Sequence, residues 1–191
     1  MRIDHVIWVA DDLHPAADRL AREHSLPEGG GGGRHVGIGT HNRVFGLGGG
    51  YLEVIAVADH EEAAASALGR AIAQAPEGLF AWAVAVEDVV DRADRLGLDV
   101  TTVERDGLTA HAAGLAEAMA EPWLPFFIQR DPGIEDPGAG GDAGGIAWVE
   151  LAADAERLRA WLGGAELPVR YATGDVPGVR AVGLGSGAVI R

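Results

Sequence analysis

One layout recurs three times along this chain of 191 residues, and it limits the folds that the sequence can adopt. An apolar strand, an aspartate at the turn and an amphipathic helix ending at leucine occupy residues 3–20, 80–96 and 146–162. The first two copies align without a gap at an offset of 76 residues, which places Asp12 on Asp88. Because an aspartate before a helix can accept hydrogen bonds from free backbone N–H groups, each copy predicts a strand followed by a capped helix.

Short β-rich segments follow each of these helices and complete a unit of one strand, one helix and further strands. The segments span residues 43–47, 51–57, 98–104, 126–129, 167–171, 179–184 and 188–190. We therefore predict an α+β fold made of repeated βαβββ modules. The predicted parts are a first module (1–58), a linking helix (59–78), a second module (79–131), a flexible Gly/Pro-rich linker (132–145) and a third module-like copy (146–191).

One segment of the second module is ambiguous. The alanines of residues 109–121 favour a helix, whereas the repeat requires a strand at this place. Both alternatives stay open.

The composition excludes several classes of function. Fifteen basic residues stand against 29 acidic ones, which gives a formal net charge of −14 and disfavours nucleic acid and anionic membranes as partners. The absence of cysteine excludes disulfides, thiolate nucleophiles and Cys-type zinc sites. The glycine run at residues 28–33 lacks the Lys-Ser/Thr ending of a phosphate loop, so no nucleotide cofactor is expected. With no apolar run long enough to span a bilayer and no signal-peptide core, we expect a cytoplasmic protein with a small-molecule ligand.

Two predicted strands of the first module carry groups that are unusual in such strands. Glu53 lies in the middle of an apolar strand, where a carboxylate is rarely buried unless it is paired or binds a metal. An edge strand would instead expose Glu53 to solvent or to an arginine. His5 lies on the first strand, and the offset places His5 on Ala81 and Glu53 on Gln129. The first module therefore carries both candidate groups.

The segment 34–42 is rich in polar side chains. It contains His35, His41 and Asn42, the only asparagine of the chain, together with Arg34. These side chains either line a pocket, where they could donate to an oxyanion or complete a metal shell, or belong to a solvated glycine-rich turn.

Three motifs in about the first sixty residues resemble a known family. They are Ile-Asp-His-Val at 3–6 with Asp-Leu at 12–13, Gly-Arg-His-Val-Gly-Ile-Gly-Thr-His-Asn at 33–42, and Gly-Tyr-Leu-Glu-Val-Ile at 50–55. Together they resemble the glyoxalase-like domain family of the vicinal-oxygen-chelate superfamily, which includes glyoxalases, bleomycin-resistance proteins and extradiol dioxygenases. The resemblance implies paired modules whose mixed sheet curls around a cavity.

The resemblance also implies a set of metal ligands, because four positions supply them in metal-using relatives. Here these positions match His5, Glu53, Ala81 and Gln129. Alanine cannot bind a metal and glutamine is a weak neutral ligand, so a divalent metal would be held weakly by His5 and Glu53. We expect these two side chains to converge from adjacent strands, and the first two modules to be related by an approximate twofold axis.

Two functions remain open. The first is a glyoxalase-like enzyme, a lyase, isomerase or oxygenase acting on a small oxygenated metabolite, with or without a metal. The expected catalytic residues are Glu53 and His41, with the pKa of Glu53 raised by burial. The expected substrate-binding residues are Arg34, His35, Asn42, Tyr51 and Gln129. The alternative is a non-catalytic protein that sequesters a small molecule. A third interpretation is a structural or regulatory module whose third copy pairs with another chain, and a homodimer is also an expected form.

Overall fold

The computed structural model describes residues 1–27, 31–105 and 108–191. The strands are β1 (Arg2–Val9), β2 (Gly31–His35), β3 (Thr40–Gly46), β4 (Tyr51–Val57), β5 (Gly78–Ala85), β6 (Val100–Arg105), β7 (Leu108–Ala113), β8 (Phe126–Arg130), β9 (Ile146–Ala152), β10 (Val169–Tyr171), β11 (Gly178–Leu184) and β12 (Val189–Ile190). The helices are α1 (Leu13–His24), α2 (His60–Ala65), α3 (Ala67–Gln74), α4 (Val89–Leu96), α5 (Leu115–Ala120) and α6 (Ala155–Trp161). Among these described helices, none has the length and apolar character needed to cross a membrane.

Eight strands close into a barrel in the order β1-β4-β3-β2-β6-β7-β8-β5. Within each module the first strand pairs in parallel with the last one, β1 with β4 and β5 with β8. The two modules join through the antiparallel pair β1 and β5 and through a contact of β2 with β6. This architecture confirms the expected α+β fold with a curled, mixed sheet.

The ladder between β1 and β5 has the symmetry that the offset predicts. His5 pairs with Ala83, and Ile7 pairs with Ala81. The offset of 76 residues relates His5 to Ala81 and Ile7 to Ala83. When each residue is replaced by its equivalent in the other module, the first pair becomes the second and the second becomes the first. The first strands and helices of the two modules therefore follow a local twofold axis.

The same offset does not hold at the last strand of the second module. Ile7 pairs with Glu53 on β4, whereas Ala83, the equivalent of Ile7, pairs with Phe126 on β8. Phe126 and not Gln129 is therefore the counterpart of Glu53. The irregular connections differ in length between the modules, and strand periodicity alone does not reveal this difference.

The C-terminal segment forms a separate sheet with the order β10-β9-β11-β12. Here the strand that lies parallel to β9 is β10, the first one after the helix, whereas the barrel modules place their last strand in that position. The strand and helix at the start of the unit recur, but the pairing of the later strands differs. Buried residues of this sheet, including Val149 and Leu151, join the hydrophobic cluster outside the barrel that contains Phe45 and Trp82.

An aspartate precedes the helix of each of the three copies, as the repeat predicts. The side chain of Asp88 accepts a hydrogen bond from the N–H of Asp91, and that of Asp154 accepts two at the start of α6. Asp12 precedes α1, but its side chain makes no capping hydrogen bond. The capping role predicted for Asp12 is therefore wrong, whereas its place before the helix is right.

Two helical segments differ from the simple expectation. The predicted linking helix is broken at Ser66, whose backbone is extended and whose hydroxyl accepts a hydrogen bond from the N–H of Gly69. The ambiguous segment 109–121 contains both structures, because β7 ends at Ala113 and α5 begins at Leu115. Gly114 lies between them with φ of 81°, a left-handed conformation that favours glycine.

The linker predicted to be flexible is fixed against the turn between β3 and β4. The N–H groups of Gly48 and Gly49 both donate to the carbonyl of Gly138 at 3.0 Å. A Cβ atom on Gly138 would lie 2.6 Å from the backbone of Gly50, so only glycine fits this approach. Of the glycine run at 28–33, residues 31–33 belong to β2, and residues 28–30 lie outside the described residues.

Candidate functional site

The barrel encloses a cavity of about 100 Å³. Its walls are mostly apolar and are formed by Ile7, Ile55, Leu68, Ile72, Val103, Ala110, Ala112, Leu115, Met119, Phe126 and Ile128. Its polar lining consists of His5, His35, Tyr51, Glu53, Arg105, Thr109 and Arg130. Ile134 and Pro137 of the linker also line it. The cavity thus combines an apolar interior with a small set of convergent polar groups, which is typical of small-molecule sites.

Glu53 is the centre of the polar groups. Its carboxylate is buried, and Oε2 lies 3.5 Å from Nε2 of His5 while Oε1 lies 3.7 Å from Nε2 of His35. The Nδ2 of Asn42 donates a hydrogen bond of 2.6 Å to Oε1. The structure therefore brings together four predicted residues from four neighbouring strands, β1 to β4.

His5 is held by contacts on both faces and on one edge. Its Nδ1 lies 2.8 Å from Oδ2 of Asp4, and its ring stacks on Tyr51 with centroids 4.5 Å apart. The ring of Phe126 meets it edge-on, with centroids 5.3 Å apart. Because an ionised carboxylate can only accept a hydrogen bond, Nδ1 carries a proton and Nε2 is the atom that faces Glu53.

The sequence does not single out several polar residues of the site, among them Asp4, Arg105, Thr109 and Arg130. Arg130 donates two hydrogen bonds to Asp4, of 2.8 and 2.7 Å, and a third of 3.2 Å to the hydroxyl of Tyr51. Strand alternation places Asp4 and His5 on opposite faces, but an irregularity in the β1–β5 ladder between Ile3 and His5 lets both reach one network. Arg130 follows the inward residue Ile128 by two positions, which is a signal that the sequence does contain.

The charges of the network determine which groups are ionised. Burial raises the pKa of Glu53, but His5, His35 and the hydrogen bond from Asn42 oppose this effect, and the net pKa is lowered. The predicted upward shift is therefore wrong, and Glu53 is a carboxylate at neutral pH.

Asp4 and Arg130 stabilise each other as charged groups. Burial alone would raise the pKa of Asp4, but the hydrogen bonds from Arg130 and His5 hold that pKa well below its usual range. Burial disfavours the charged form of Arg130, yet its bonds to Asp4 raise the pKa of the guanidinium above its ordinary value. Burial, with the charges of Asp4 and Glu53, raises the pKa of Tyr51, so this phenol stays neutral.

Two residues of the segment 34–42 lie away from the cavity. His41 precedes the inward Asn42 on β3 and therefore points to the outer face, where its ring lies 6.2 Å from that of His14. Arg34 is exposed and forms ion pairs with Asp59 and Glu62. The structure does not bring His41 or Arg34 to the other candidate groups.

Gln129 has a different role from the one that the resemblance implies. Its Oε1 accepts a hydrogen bond of 2.9 Å from the N–H of Val89, the first residue of α4. Its neighbours Ile128 and Arg130 line the cavity, so strand alternation turns Gln129 outward. The residue stabilises a helix terminus and does not contact the cavity.

A metal with the four ligands of the family does not fit these side chains. At the positions that would complete the site, the second module contributes Ala81 and Phe126, neither of which can bind a metal. Over residues 1–27, 31–105 and 108–191, no group of three or more His, Asp or Glu side chains is arranged to hold a metal ion.

Comparisons with known proteins agree with this architecture. The model of a family described as a glyoxalase-like domain matches residues 3–167. A hypothetical protein from Staphylococcus aureus has a similar structure, with a TM-score of 0.69 and 16% identity over 98% of this chain and 96% of that one. No curated protein matches the sequence significantly.

Methylmalonyl-CoA epimerases are similar in structure over about two thirds of this chain. The enzyme from Mycobacterium tuberculosis has a TM-score of 0.54 and 15% identity, over 69% of this chain and 89% of its own. A variant of the Streptomyces coelicolor enzyme, in complex with 2-nitronate-propionyl-CoA, has a TM-score of 0.54 and 19% identity, over 69% and 96%. At these identities the similarity shows a common fold.

Proposed function

Since the chain belongs to the glyoxalase-like domain family, we propose that it is an isomerase or lyase that moves a proton on a small oxygenated metabolite held in the barrel. In this proposal Glu53 accepts the proton. The observation that carries it is the buried, ionised carboxylate of Glu53 facing an apolar cavity, with Nε2 of His5 3.5 Å away.

The network around Glu53 supports an acid–base pair. A separation of 3.5 Å between Oε2 of Glu53 and Nε2 of His5 is longer than a normal hydrogen bond, so both atoms can bond a substrate group. Asp4 orients His5 through Nδ1 and stabilises the imidazolium, much as a carboxylate orients a catalytic histidine in other enzymes. Arg130 in turn keeps Asp4 ionised.

The proposed reaction begins at a carbon next to a carbonyl group. In this proposal His5 starts with a proton on both ring nitrogens. Glu53 removes a proton from the carbon, the electrons of the C–H bond form an enolate, and the proton on Nε2 passes to the enolate oxygen, which leaves His5 neutral with its proton on Nδ1 beside Asp4. Return of a proton to carbon completes an isomerisation, whereas loss of a neighbouring leaving group completes an elimination. The apolar walls exclude water and strengthen these charge interactions.

A second candidate function is sequestration without turnover. The lowered pKa of Glu53 favours it, because a carboxylate with a lower pKa is a weaker base. In that case Glu53 and His5 would bind a hydroxyl or carbonyl group of the ligand as hydrogen-bonding partners.

Hydrogen exchange separates the two functions. The protein is incubated in D2O with 2-oxobutanoate or 2-oxooctanoate, with and without a chelator, and loss of the C3 proton signals is followed by NMR while calorimetry measures binding. We expect exchange that survives chelation and falls at least about 100-fold in Glu53→Gln, within the range of general base catalysis. Glu156→Gln, an exposed change on α6, should keep the wild-type rate.

Undiminished exchange in Glu53→Gln would refute the role of Glu53. Binding of a probe without any exchange in the wild-type protein would support sequestration.

A further inference from the structure

A second, larger cavity of about 540 Å³ adjoins the barrel cavity at the end covered by α3 and α5. We call it the outer groove. Its own lining consists of Val36, Gly37, Ile38, Ser66, Ala67, Thr101, Thr102, Glu104 and Ala116. Four further residues line both the outer groove and the barrel cavity, namely Leu68, Val103, Leu115 and Met119. These four side chains therefore lie at the boundary of the two spaces.

The volumes of the two spaces limit the size of ligand that each could hold by itself. The barrel cavity of about 100 Å³ is smaller than the roughly 300–1,000 Å³ typical of small-molecule sites. The outer groove of about 540 Å³ lies within that range. The barrel can hold the reactive part of a ligand, while the rest of the molecule needs the groove.

The boundary between the two spaces is suited to a hydrocarbon chain. Leu68 on α3, Val103 on β6, and Leu115 and Met119 on α5 are all apolar and only partly buried. They contact the barrel interior through dispersion forces alone, and methionine in particular adapts its shape to a ligand. Val36 at the rim of the groove is 67% exposed, so an apolar chain lying there would remove hydrophobic surface from water.

The polar end of the barrel carries a second arginine, Arg105, besides Arg130. Among residues 1–27, 31–105 and 108–191, Arg105 has no ion pair and no side-chain hydrogen bond, although it lines the barrel cavity. Its charge is felt at Glu53, whose pKa it helps to lower. Arg130, the other arginine of the lining, is already bonded to Asp4. A guanidinium facing an apolar cavity requires acceptors, and a carboxylate satisfies it with two parallel hydrogen bonds.

The strand β6 fixes the relative positions of these features. Arg105 and Val103 are two residues apart and face the same side, so they are about 6.6 Å apart along the strand. A short carboxylate bound at Arg105 stays inside the barrel, whereas a longer one passes Val103 and reaches the outer groove.

We infer that the substrate is an oxygenated, medium-chain fatty acid or a carboxylate of the same shape. Its carboxylate binds Arg105, its reactive carbon lies at Glu53, and its hydrocarbon tail leaves the barrel between α3 and α5. The position of the reactive carbon rests on the proposed function, whereas the positions of the carboxylate and the tail do not.

Binding of simple carboxylates tests the tail and the charge separately. Isothermal titration of the full-length protein should give a dissociation constant for octanoate at least tenfold lower than that for butanoate. In Leu115→Trp, which fills the boundary, octanoate should bind at least tenfold more weakly while butanoate changes less than twofold. The control Val90→Trp adds the same side chain at an exposed position of α4. It should change neither the dissociation constant of octanoate nor that of butanoate.

The charge is tested by Arg105→Gln, which should weaken octanoate at least tenfold and leave octan-1-ol unchanged, with Arg95→Gln as the exposed control. Near-UV circular dichroism verifies that each variant is folded, and Met119→Trp replaces Leu115→Trp if the latter is not.

Two outcomes would overturn the inference: equal affinities for butanoate and octanoate, or an octanoate affinity that neither tryptophan variant changes. Octanoate binding as expected without proton exchange would refute only the proposed function, and exchange without any dependence on chain length would refute only this inference.

Discussion

Removing the charge of Asp4 should lower the free energy of unfolding substantially, because Asp4 forms a buried ion pair with Arg130. In Asp4→Asn the side chain keeps its shape, but Arg130 loses the partner to which it donates at 2.8 and 2.7 Å. The side chain of Asp4 is fully buried and that of Arg130 is 14% exposed. Breaking a buried ion pair costs about 3–5 kcal/mol, and we expect the lower end because Arg130 retains some contact with water and with Tyr51.

This loss can be measured by calorimetry. For a chain of this length about 3 kcal/mol corresponds to a fall in Tm of about 6–12 °C. The control Asp18→Asn breaks an exposed pair with Arg43 and should leave the Tm almost unchanged, because surface ion pairs contribute little. A second variant, Asp4→Asn with Arg130→Met, should recover part of the loss, since it removes the unpaired charge. The reasoning fails if Asp4→Asn lowers the Tm no more than Asp18→Asn does.

Three further predictions concern pH, a buried arginine and metal. Because the folded protein lowers the pKa of Asp4, the ionised group stabilises it above about pH 4, and the Tm difference between wild type and Asp4→Asn should narrow as the pH falls below that value. Arg92→Leu should cost about 1–3 kcal/mol by denaturant titration, because Arg92 is buried and donates to the carbonyl of Trp161 at 2.9 Å, whereas Arg95→Leu on the exposed face should have little effect. Any divalent metal should bind weakly, so a strong chelator should lower the Tm by less than about 10 °C, and a larger fall would indicate a tighter site.

Part of the site could be predicted because it depends on strand alternation alone. His5 and Glu53 each lie at inward positions of apolar strands, and the structure brings them within 3.5 Å of each other. The same rule could also have excluded His41, since His41 and Asn42 are adjacent on one strand and cannot both face the cavity. Gln129 was misplaced because the repeat offset was extended across irregular connections whose lengths differ between the modules.

Other features depend on contacts between distant parts of the chain. Asp4 joins the network only because the β1–β5 ladder is irregular beside it, and Arg130 reaches it from 126 residues away. The pKa of Glu53 is lowered by residues on four other strands, so a rule based on burial alone gave the wrong direction. Likewise, the linker is fixed by hydrogen bonds from the turn at Gly48 and Gly49, which its glycine-rich composition does not indicate.

The sequence by itself did not predict β2, and it left β7 open. It did determine the first strand and helix of each copy, most of the later strands, and the strand faces on which His5 and Glu53 lie. These follow from local patterns, because alternation and capping act over a few residues. Only the tertiary structure decided the strand order of the C-terminal sheet, the ion pair between Asp4 and Arg130, and the covering of the barrel by α3 and α5. Each of these features joins segments that are far apart in the sequence. The free energy gained by burying their surfaces depends on the whole fold, so no single segment reveals it.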